Sequence, residues 1–331
     1  MVVPLYLDEG SIFRCLDRRE TYTVVKAVLA GLGHGRATNG PKAGFGFDCG
    51  GHHQHVGSVS GHVAGDGVAG LKWFTVADRN PEKGLPRVPA TIIVTDAKTG
   101  LLNGVLDGTK LTAVRTAAMA VAATEICFRD AIRNAAVIGA GAIGREVINF
   151  LCATRQIENV YVSSFSHSSA LSACEAAGRL VKGKVKLHPM PGPQEAVRDA
   201  DVIIMATGLS EDTDVVRAEW LKEDAFICTL GTHREVDLDL LASATIVVDD
   251  EDGVRLRKKD FREGGVARAR VAASLADVVG GRVDLRRRSG RVNLVLIGMG
   301  ALDVALAAST LRKAREMGEG LMLRSAAQDN G

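Results

Sequence analysis

The stretch NAAVIGAGAIG, residues 134–144, carries the pattern that decides the fold of this 331-residue chain. Five mostly apolar residues, typical of a buried strand, precede Gly139, Gly141 and Gly144 in a GxGxxG spacing, and a helical pattern follows. In a dinucleotide-binding turn the first glycine forms the tight turn. The second lets the backbone approach the pyrophosphate, and the third lets the helix pack on the strand. Because free N–H groups at a helix start attract phosphate, the stretch predicts the first β–turn–α unit of a Rossmann domain.

The residues that follow alternate between short apolar strands and amphipathic helices. The pattern predicts strands at 134–138, 159–163, 185–188, 201–205, 225–229, 246–248 and 293–297. Helical patterns such as 144–153 and 169–179 separate the first of them. Such alternation is typical of a parallel sheet covered by helices on both faces. We therefore predict an α/β fold with a Rossmann dinucleotide-binding domain.

The residues on either side of this region have a different character. The pattern predicts a helix at 18–32, turns and short strands in the glycine-rich stretch 39–70, β-runs at 70–76 and 90–96, a hairpin turn at 96–100, an alanine-rich helix at 112–128 and a last helix at 301–317. Thr112 is the expected N-cap of the alanine-rich helix. These elements predict a second, mixed domain.

Composition and charge narrow the class of protein. The formal net charge is +2, 24% of the residues are charged and only 4% are aromatic. Such a balance predicts no binding of nucleic acid or of an anionic membrane, and few rings are available for base stacking. Neither a signal peptide nor an apolar run of membrane-spanning length is visible, so a cytoplasmic location is expected.

The glycine-rich stretch contains a group of metal-binding residue types. They are Cys49, His52, His53, His55 and His62. Their spacing fits no standard zinc pattern. We therefore predict no metal site.

The end of the second predicted Rossmann strand bears on the choice of cofactor. NAD-binding domains usually have an acidic residue there, which accepts hydrogen bonds from the ribose hydroxyls. This chain has Ser164 at that position, followed by Ser166, His167 and Ser168, with no Asp or Glu nearby. A 2′-phosphate would meet several donors and no repulsion, so the sequence favours NADP(H) over NAD(H). The alternative is a loop that does not contact the ribose.

Several motifs together resemble the ornithine cyclodeaminase/μ-crystallin family. They are GLKW (70–73), LDGTKLTAVRTAA (106–118), VIGAGAIG (137–144), REVDLDLLASATIVVDD (234–250), SLADVVGG (274–281) and IGMGALDVALA (297–307). The resemblance implies a Rossmann domain at 117–301, inserted into a smaller α+β domain for substrate binding and dimerisation. That smaller domain would consist of 1–116 with 302–331 returning to it, and the implied assembly is a homodimer.

The resemblance also implies hydride transfer at a carbon that bears an amino or imino group next to a carboxylate. Such a substrate needs an anchor for its carboxylate, and a guanidinium offers two parallel hydrogen bonds. By resemblance, Lys72 and Arg115 hold this carboxylate beside the nicotinamide, and Lys72 also supplies a proton. Lys42 and Arg87 are further substrate-binding candidates. The alternative for these residues is a solvated surface charge.

The residues expected to bind the cofactor lie at the fingerprint, at strand ends and at helix starts. They are Thr112, Gly139, Gly141, Ala142, Ile143, Gly144, Ser164, Ser166, His167, Thr207, Gly231 and Met299. A Rossmann sheet binds its dinucleotide at the edge where the carboxyl ends of its strands meet.

One segment departs from the cyclodeaminase pattern. Those enzymes carry an aspartate after the fifth Rossmann strand, where this chain has Gly231, Thr232 and His233. We therefore predict an NAD(P)H-dependent imine (ketimine) reductase or amino-acid dehydrogenase. His233 is a candidate acid/base or, alternatively, a structural loop histidine. An ammonia-releasing ornithine cyclodeaminase, an opine-like amino-acid synthase and a non-catalytic NADP(H)-binding protein are the alternative functions.

Overall fold

The computed structural model describes residues 3–128, 132–154, 157–181, 185–209, 211–256, 261–262, 271–285 and 290–323. The chain divides into two compact units. The first consists of Met1–Arg115 and Met299–Gly331, and the second of Thr116–Gly298. The second unit is inserted between the two parts of the first, which confirms the predicted fold class. The sequence predicts these boundaries after residues 116 and 301, and residues 324–331 of the returning segment lie outside the described residues.

Both units combine strands with helices. The strands are β1 (Leu5–Leu7), β2 (Ala37–Asn39), β3 (Ala43–Cys49), β4 (His52–Val63), β5 (Val68–Val76), β6 (Ala90–Asp96), β7 (Leu102–Asp107), β8 (Asn134–Ile138), β9 (Asn159–Ser163), β10 (Lys186–Pro189), β11 (Val202–Met205), β12 (Phe226–Thr229), β13 (Thr245–Val248), β14 (Val271–Ser274), β15 (Val292–Val295) and β16 (Leu321–Met322). The helices are α1 (Glu9–Cys15), α2 (Arg18–Gly33), α3 (Gly108–Cys127), α4 (Ala142–Thr154), α5 (His167–Val181), α6 (Pro193–Val197), α7 (Leu238–Ser243), α8 (Glu251–Leu256), α9 (Leu275–Val279) and α10 (Gly300–Met317).

The first unit is built on a mixed sheet with the strand order β16–β1–β7–β6–β5–β4–β2, and β3 pairs with β4. Strands β1 and β7 are parallel, while the other neighbours are antiparallel. The predicted hairpin joins β6 and β7. At its turn, the side chain of Asp96 accepts a hydrogen bond from the backbone of Thr99 at 2.7 Å. Helix α10 packs on this sheet against β4, β5 and β6.

Glycines let α10 approach the sheet closely. A Cβ at Gly61 in β4 would meet the backbone nitrogen of Ala301, and a Cβ at Gly300 would meet the carbonyl oxygen of Ser60. Backbone atoms cannot rotate away as a side chain can, so these two positions accept glycine alone. The close approach brings the first turn of α10 to the face of β5 that carries Lys72.

The second unit contains a parallel sheet with the strand order β10–β9–β8–β11–β12–β15–β13–β14. All its described strand pairs are parallel. Strands β11, β12 and β15 bury every side chain, as strands covered on both faces do. The chain runs outward from β8 through β9 on one side and from β11 through β12 on the other. The β8/β11 pair is therefore the switch point at which open α/β sheets bind their ligands.

Helix α3, strand β4 and strand β14 are among the elements that differ from the sequence-based expectation. Helix α3 begins at Gly108, and Thr112 is not its N-cap, because the Thr112 hydroxyl donates to the Gly108 carbonyl at 2.7 Å inside the helix. Strand β4 is 12 residues long where short strands were expected. Strand β14 was not predicted, since its sequence VAAS has a single β-branched residue.

Candidate active site

Two buried cations lie close together in the first unit. Lys72 stands in β5 between Val59 of β4 and Ile92 of β6, and only 3% of it is exposed. Arg115 lies in α3 and is also buried. Lysine and arginine are almost never fully buried unless a partner compensates their charge.

Asp303, in the first turn of α10, is that partner. Its Oδ1 accepts a hydrogen bond from Lys72 Nζ at 3.0 Å and another from Arg115 Nε at 2.9 Å. We call Lys72, Arg115 and Asp303 the cationic cluster. Sequence reasoning did not select Asp303 as a site residue. The available signal was that Asp303 is the charged residue in the otherwise uncharged stretch 292–309.

The surroundings of Lys72 bring its pKa toward neutrality. Burial favours the neutral amine and the Arg115 guanidinium repels the charge, so the pKa of Lys72 falls from 10.5 to about 8. The charge and hydrogen bond of Asp303 oppose this shift, while Lys42 adds to it. The ammonium also lies 5.5 Å from the centre of the Phe74 ring. A lysine with this pKa can release and regain a proton close to neutral pH.

The cationic cluster has unused hydrogen-bonding capacity. Within the described part of the chain, Arg115 Nη1 has no acceptor and Asp303 Oδ2 has no donor, although both atoms are buried. An unpaired buried polar group is unfavourable by about 1–3 kcal/mol. Two positive charges and one negative charge also leave an excess of one positive charge. A carboxylate ligand would supply both the missing acceptor and the missing charge.

The other two predicted substrate-binding cations differ in placement. Lys42 lies within electrostatic range of Lys72. Arg87 lies in the loop between β5 and β6, where its Nε and Nη2 contact Asp78 at 2.7 and 2.6 Å. The Arg87 backbone pairs with Ala77, five residues beyond Lys72, which is about 17 Å along a strand. The structure therefore leaves Arg87 away from the cationic cluster, whereas Lys42 acts on Lys72 through its charge.

The glycines of the fingerprint occupy positions with specific requirements. Gly139 has a φ of 106°, and a Cβ there would lie 2.5 Å from the carbonyl oxygen of Ala206. A Cβ at Gly144 would overlap the carbonyl oxygen of Gly139, so α4 packs closely on β8 only with glycine. At Gly141, no described atom lies within 4 Å of a Cβ position. The backbone there is open to a ligand at the start of α4, which begins at Ala142.

The end of β9 carries the side chains expected to contact the cofactor ribose. Ser164 Oγ accepts a hydrogen bond from the backbone N–H of Ala140, within the fingerprint turn, at 3.2 Å. Ser166 Oγ lies 2.8 Å from Ser169 Oγ, and His167 begins α5. Ser164 therefore adjoins the turn at which a pyrophosphate would bind, and its hydroxyl proton can be donated to a further acceptor.

The remaining predicted cofactor residues belong to both units. Ile143 lies in the first turn of α4. Thr207 follows β11 and Gly231 follows β12, at the carboxyl edge of the parallel sheet. Thr207 Oγ1 is buried and has no hydrogen-bond partner within the described residues. Thr112 of α3 and Met299, the residue before α10, belong to the first unit.

His233 lies in the interior of the second unit. None of it is exposed, and neither ring nitrogen has a hydrogen-bond partner in the part of the chain that the structure describes. Burial lowers the pKa of His233 from 6.5 to about 4, and the nearby Asn293 side chain opposes this only in part. The His233 ring packs edge-on against Phe261, with 5.8 Å between the ring centroids. The backbone φ of His233 is 63°. A neutral, enclosed imidazole favours the structural alternative over the acid/base role.

The same segment contains a carboxylic acid that sequence reasoning overlooked. Glu235 is buried, and burial raises its pKa. Its Oε1 lies 4.0 Å from the position that a Cβ would take at Gly231, just after β12. Positions 231–233 lack an acid, but Glu235 provides one two residues further along the chain.

The cysteine and histidine side chains of the glycine-rich stretch lie on β3 and β4. His53 contacts Asp48 at 3.1 Å, and His52 contacts Arg79 at 3.0 Å. Within the described ranges, no group of three or more His, Cys, Asp or Glu side chains is placed to hold a metal ion. None of the described helices is both long and apolar enough to cross a membrane.

Comparison with known proteins agrees with the motifs. A family model described as the ornithine cyclodeaminase/mu-crystallin family matches residues 18–317. A Δ1-pyrroline-2-carboxylate/Δ1-piperideine-2-carboxylate reductase of Azospirillum brasilense is 32% identical over 247 residues, which cover 72% of this chain and 74% of that protein.

Two solved structures have the same fold. An archaeal alanine dehydrogenase dimer with bound NAD matches with a TM-score of 0.84 and 25% identity, over 97% of this chain and 99% of that one. The Δ1-pyrroline-2-carboxylate reductase of Thermococcus litoralis, in complex with NADH and L-proline, matches with a TM-score of 0.83 and 24% identity, over 96% of this chain and 100% of that one. Because the family model matches nearly its whole length, this chain belongs to the ornithine cyclodeaminase/mu-crystallin family.

Proposed function

We propose that this chain is an NAD(P)H-dependent reductase that converts a small α-imino acid into the corresponding α-amino acid, and that acts in reverse as an amino-acid dehydrogenase. The observation that carries the proposal is the unpaired Nη1 of Arg115 next to Lys72. Cyclic α-imino acids are the first substrates to consider, because the Azospirillum brasilense relative is named for reducing two of them.

In this mechanism the two cations of the cationic cluster bind and orient the substrate. Arg115 and Lys72 hold the carboxylate, which fixes the position of the adjacent C=N carbon. Lys72 gives a proton to the imine nitrogen and regains one from solvent, as its pKa of about 8 allows. When bound, NAD(P)H would supply the hydride that the carbon next to the carboxylate needs. Gly139, Gly141 and Gly144 are the residues that would hold its pyrophosphate.

The direct test is a spectrophotometric assay of the purified chain. Δ1-pyrroline-2-carboxylate and Δ1-piperideine-2-carboxylate are each mixed with NADH or NADPH, and the absorbance of the reduced nicotinamide is followed. We expect it to fall in step with formation of the cyclic amino acid. If no imino acid in a wider panel oxidises either cofactor, although the cofactor binds, the non-catalytic alternative replaces the proposal.

A cyclodeaminase is the second candidate, and the buried Glu235 is the observation in its favour. Ornithine cyclisation releases ammonia and returns the cofactor to its starting state. It would therefore proceed with a trace of NAD⁺ and without a lasting change in nicotinamide absorbance. Ammonia release from ornithine under these conditions decides between the two reactions.

NADP(H) is the proposed cofactor, on the basis of Ser164. We expect Ser164→Asp to lower the NADPH/NADH ratio of kcat/KM by roughly 10- to 100-fold, because a carboxylate there would repel a 2′-phosphate and accept from a ribose hydroxyl. Steady-state kinetics with both cofactors measure the ratio. Ser243→Asp, at an exposed position of α7, is the matched control and should leave it unchanged. An unaltered ratio in Ser164→Asp would mean that the loop does not contact the ribose.

The first unit is proposed to form a homodimer through its sheet. Trp73 is 48% exposed and Ile93 is 36% exposed, and alternation along β5 turns Trp73 away from the face that carries Lys72. Leu71 pairs with Ile93 across the two strands, so these apolar side chains share one surface. Contiguous exposed apolar surface is typical of an interface between proteins.

A charge on this surface tests the proposed dimer. We expect Trp73→Glu to weaken self-association by about 100-fold or more, since it buries an unpaired carboxylate at an apolar contact. Sedimentation velocity over a concentration series gives the dissociation constant. Leu180→Glu, which changes an exposed leucine of the second unit, should associate like the unaltered chain. A Trp73→Glu chain that remains dimeric at micromolar concentration would place the interface elsewhere.

A further inference from the structure

Asp303 is a carboxylate at a position where an apolar residue would be expected. It lies on a helix whose neighbouring residues Leu302 and Val304 are fully buried, and only 1% of Asp303 itself is exposed. Moving an ionised carboxylate out of water is strongly unfavourable, and a well-packed apolar residue in its place is often neutral or stabilising. Packing of α10 alone therefore does not account for an aspartate here.

The hydrogen bonds of Asp303 explain better why an aspartate is present at this position. One oxygen, Oδ1, contacts the Lys72 ammonium at 3.0 Å and the Arg115 guanidinium at 2.9 Å, while Oδ2 has no hydrogen-bond partner among the described residues. The contact to Arg115 uses Nε and leaves Nη1 unpaired. A single carboxylate oxygen thus fixes both cations relative to each other and keeps an arginine donor available.

We propose that Asp303 is a positioning residue, which sets the separation and orientation of Lys72 and Arg115 so that both can bind one substrate carboxylate. This inference rests on the proposed function of the two cations. Asp303 acts through them and is not proposed to touch the substrate.

The same contact has an electrostatic consequence. Burial, Arg115 and Lys42 all act to remove the proton from Lys72, whereas Asp303 favours the charged ammonium. An opposite charge at such a distance typically moves a pKa by 1–3 units. Without Asp303, the pKa of Lys72 should therefore fall below about 8, and less of the lysine would be charged at physiological pH.

Asp303→Asn is the first test, because it keeps the shape of the side chain and removes the charge. We expect the alkaline limb of the kcat/KM profile for imine reduction to move down by about one pH unit or more. The loss of activity should be larger at pH 8.5 than at pH 6. The rate of acetylation of Lys72 by acetic anhydride, followed by mass spectrometry across pH, should show the same displacement without any need for turnover.

Two further variants separate positioning from folding. Thr310→Val changes a buried residue of the same helix whose hydroxyl donates to the Leu306 carbonyl, and it should leave both pH profiles in place. Asp303→Glu keeps the charge but moves the oxygen, so it should retain the alkaline limb near 8 with a lower kcat. Asp303→Glu also serves if Asp303→Asn does not fold.

The outcomes distinguish this inference from the proposed function. If imine reduction is present but Asp303→Asn keeps the wild-type pH limb and the wild-type profile of Lys72 acetylation, Asp303 is merely structural and the inference is overturned. If no imino acid is reduced but the acetylation profile of Lys72 still moves with Asp303→Asn, the coupling is upheld and the reaction is wrong. A loss of activity that is equal at every pH, with no displacement of acetylation, also overturns the inference.

Discussion

Replacing Lys72 with methionine is expected to lower kcat/KM for imine reduction by about 10³-fold, the effect of removing a group that both binds the substrate and supplies a proton. Methionine fills most of the volume of the lysine stem and carries no charge. It leaves Arg115 and Asp303 as a one-to-one ion pair, so the fold of the first unit should persist. Initial rates at pH 7 with a saturating cofactor measure the loss.

The same variant should not lose stability, which separates the catalytic effect from misfolding. The pKa of Lys72 is about 8 in the folded chain and 10.5 in the unfolded chain. Between these values the unfolded chain binds more protons, so this lysine makes the folded state more stable as the pH rises. Below about 8 the protonated lysine is unfavourable to folding by about 3 kcal/mol. Lys72→Met removes this unfavourable contribution to the free energy of folding, together with its pH dependence. Thermal unfolding at pH 7 to 10 measures both.

A conservative variant sharpens the interpretation of this experiment. Lys72→Arg keeps a positive charge that cannot be removed in this pH range. It should restore much of the substrate affinity but little of kcat, because the carboxylate contact survives and the proton donor does not. A Lys72→Met chain that keeps more than about a tenth of the wild-type kcat/KM would remove Lys72 from the mechanism.

Local sequence patterns predicted several elements of both units closely, and β6 of the first unit has the predicted bounds 90–96. Strands β8 and β9 have the predicted bounds, because a buried parallel strand is a continuous apolar run that ends at a glycine or serine. The fingerprint could be predicted for the same reason, since its three glycines have local roles in one turn. Each of these signals lies within a few residues of the structure that it predicts.

The candidate active site depends on contacts that no local pattern contains. Lys72 and Asp303 are 231 positions apart, and a charge in an apolar helix gives no information about which strand it will face. The predicted start of α3, with Thr112 as the N-cap, was wrong for a related reason. Gly108 is an unfavourable residue in a helix, and Thr112 is a favourable cap, yet the structure begins the helix at the glycine.

Replacing Gly300 with alanine is expected to have the second large effect, and it connects the packing of the first unit to its chemistry. The new Cβ would overlap the carbonyl oxygen of Ser60, and backbone atoms on both sides leave no rotamer change that relieves the clash. Overpacking of this kind costs about 3 kcal/mol or more, which should lower the melting temperature of the first unit by about 10 °C. Because Asp303 lies one turn further along the same helix, displacement of α10 should also separate it from Lys72 and abolish imine reduction.

Gly65→Ala is the matched control, since no described atom lies within 4 Å of its Cβ position, and it should retain the stability and activity of the unaltered chain. A Gly300→Ala chain that melts at the wild-type temperature would show that α10 does not need the close approach at this point, and that Lys72 and Asp303 are brought together by other contacts.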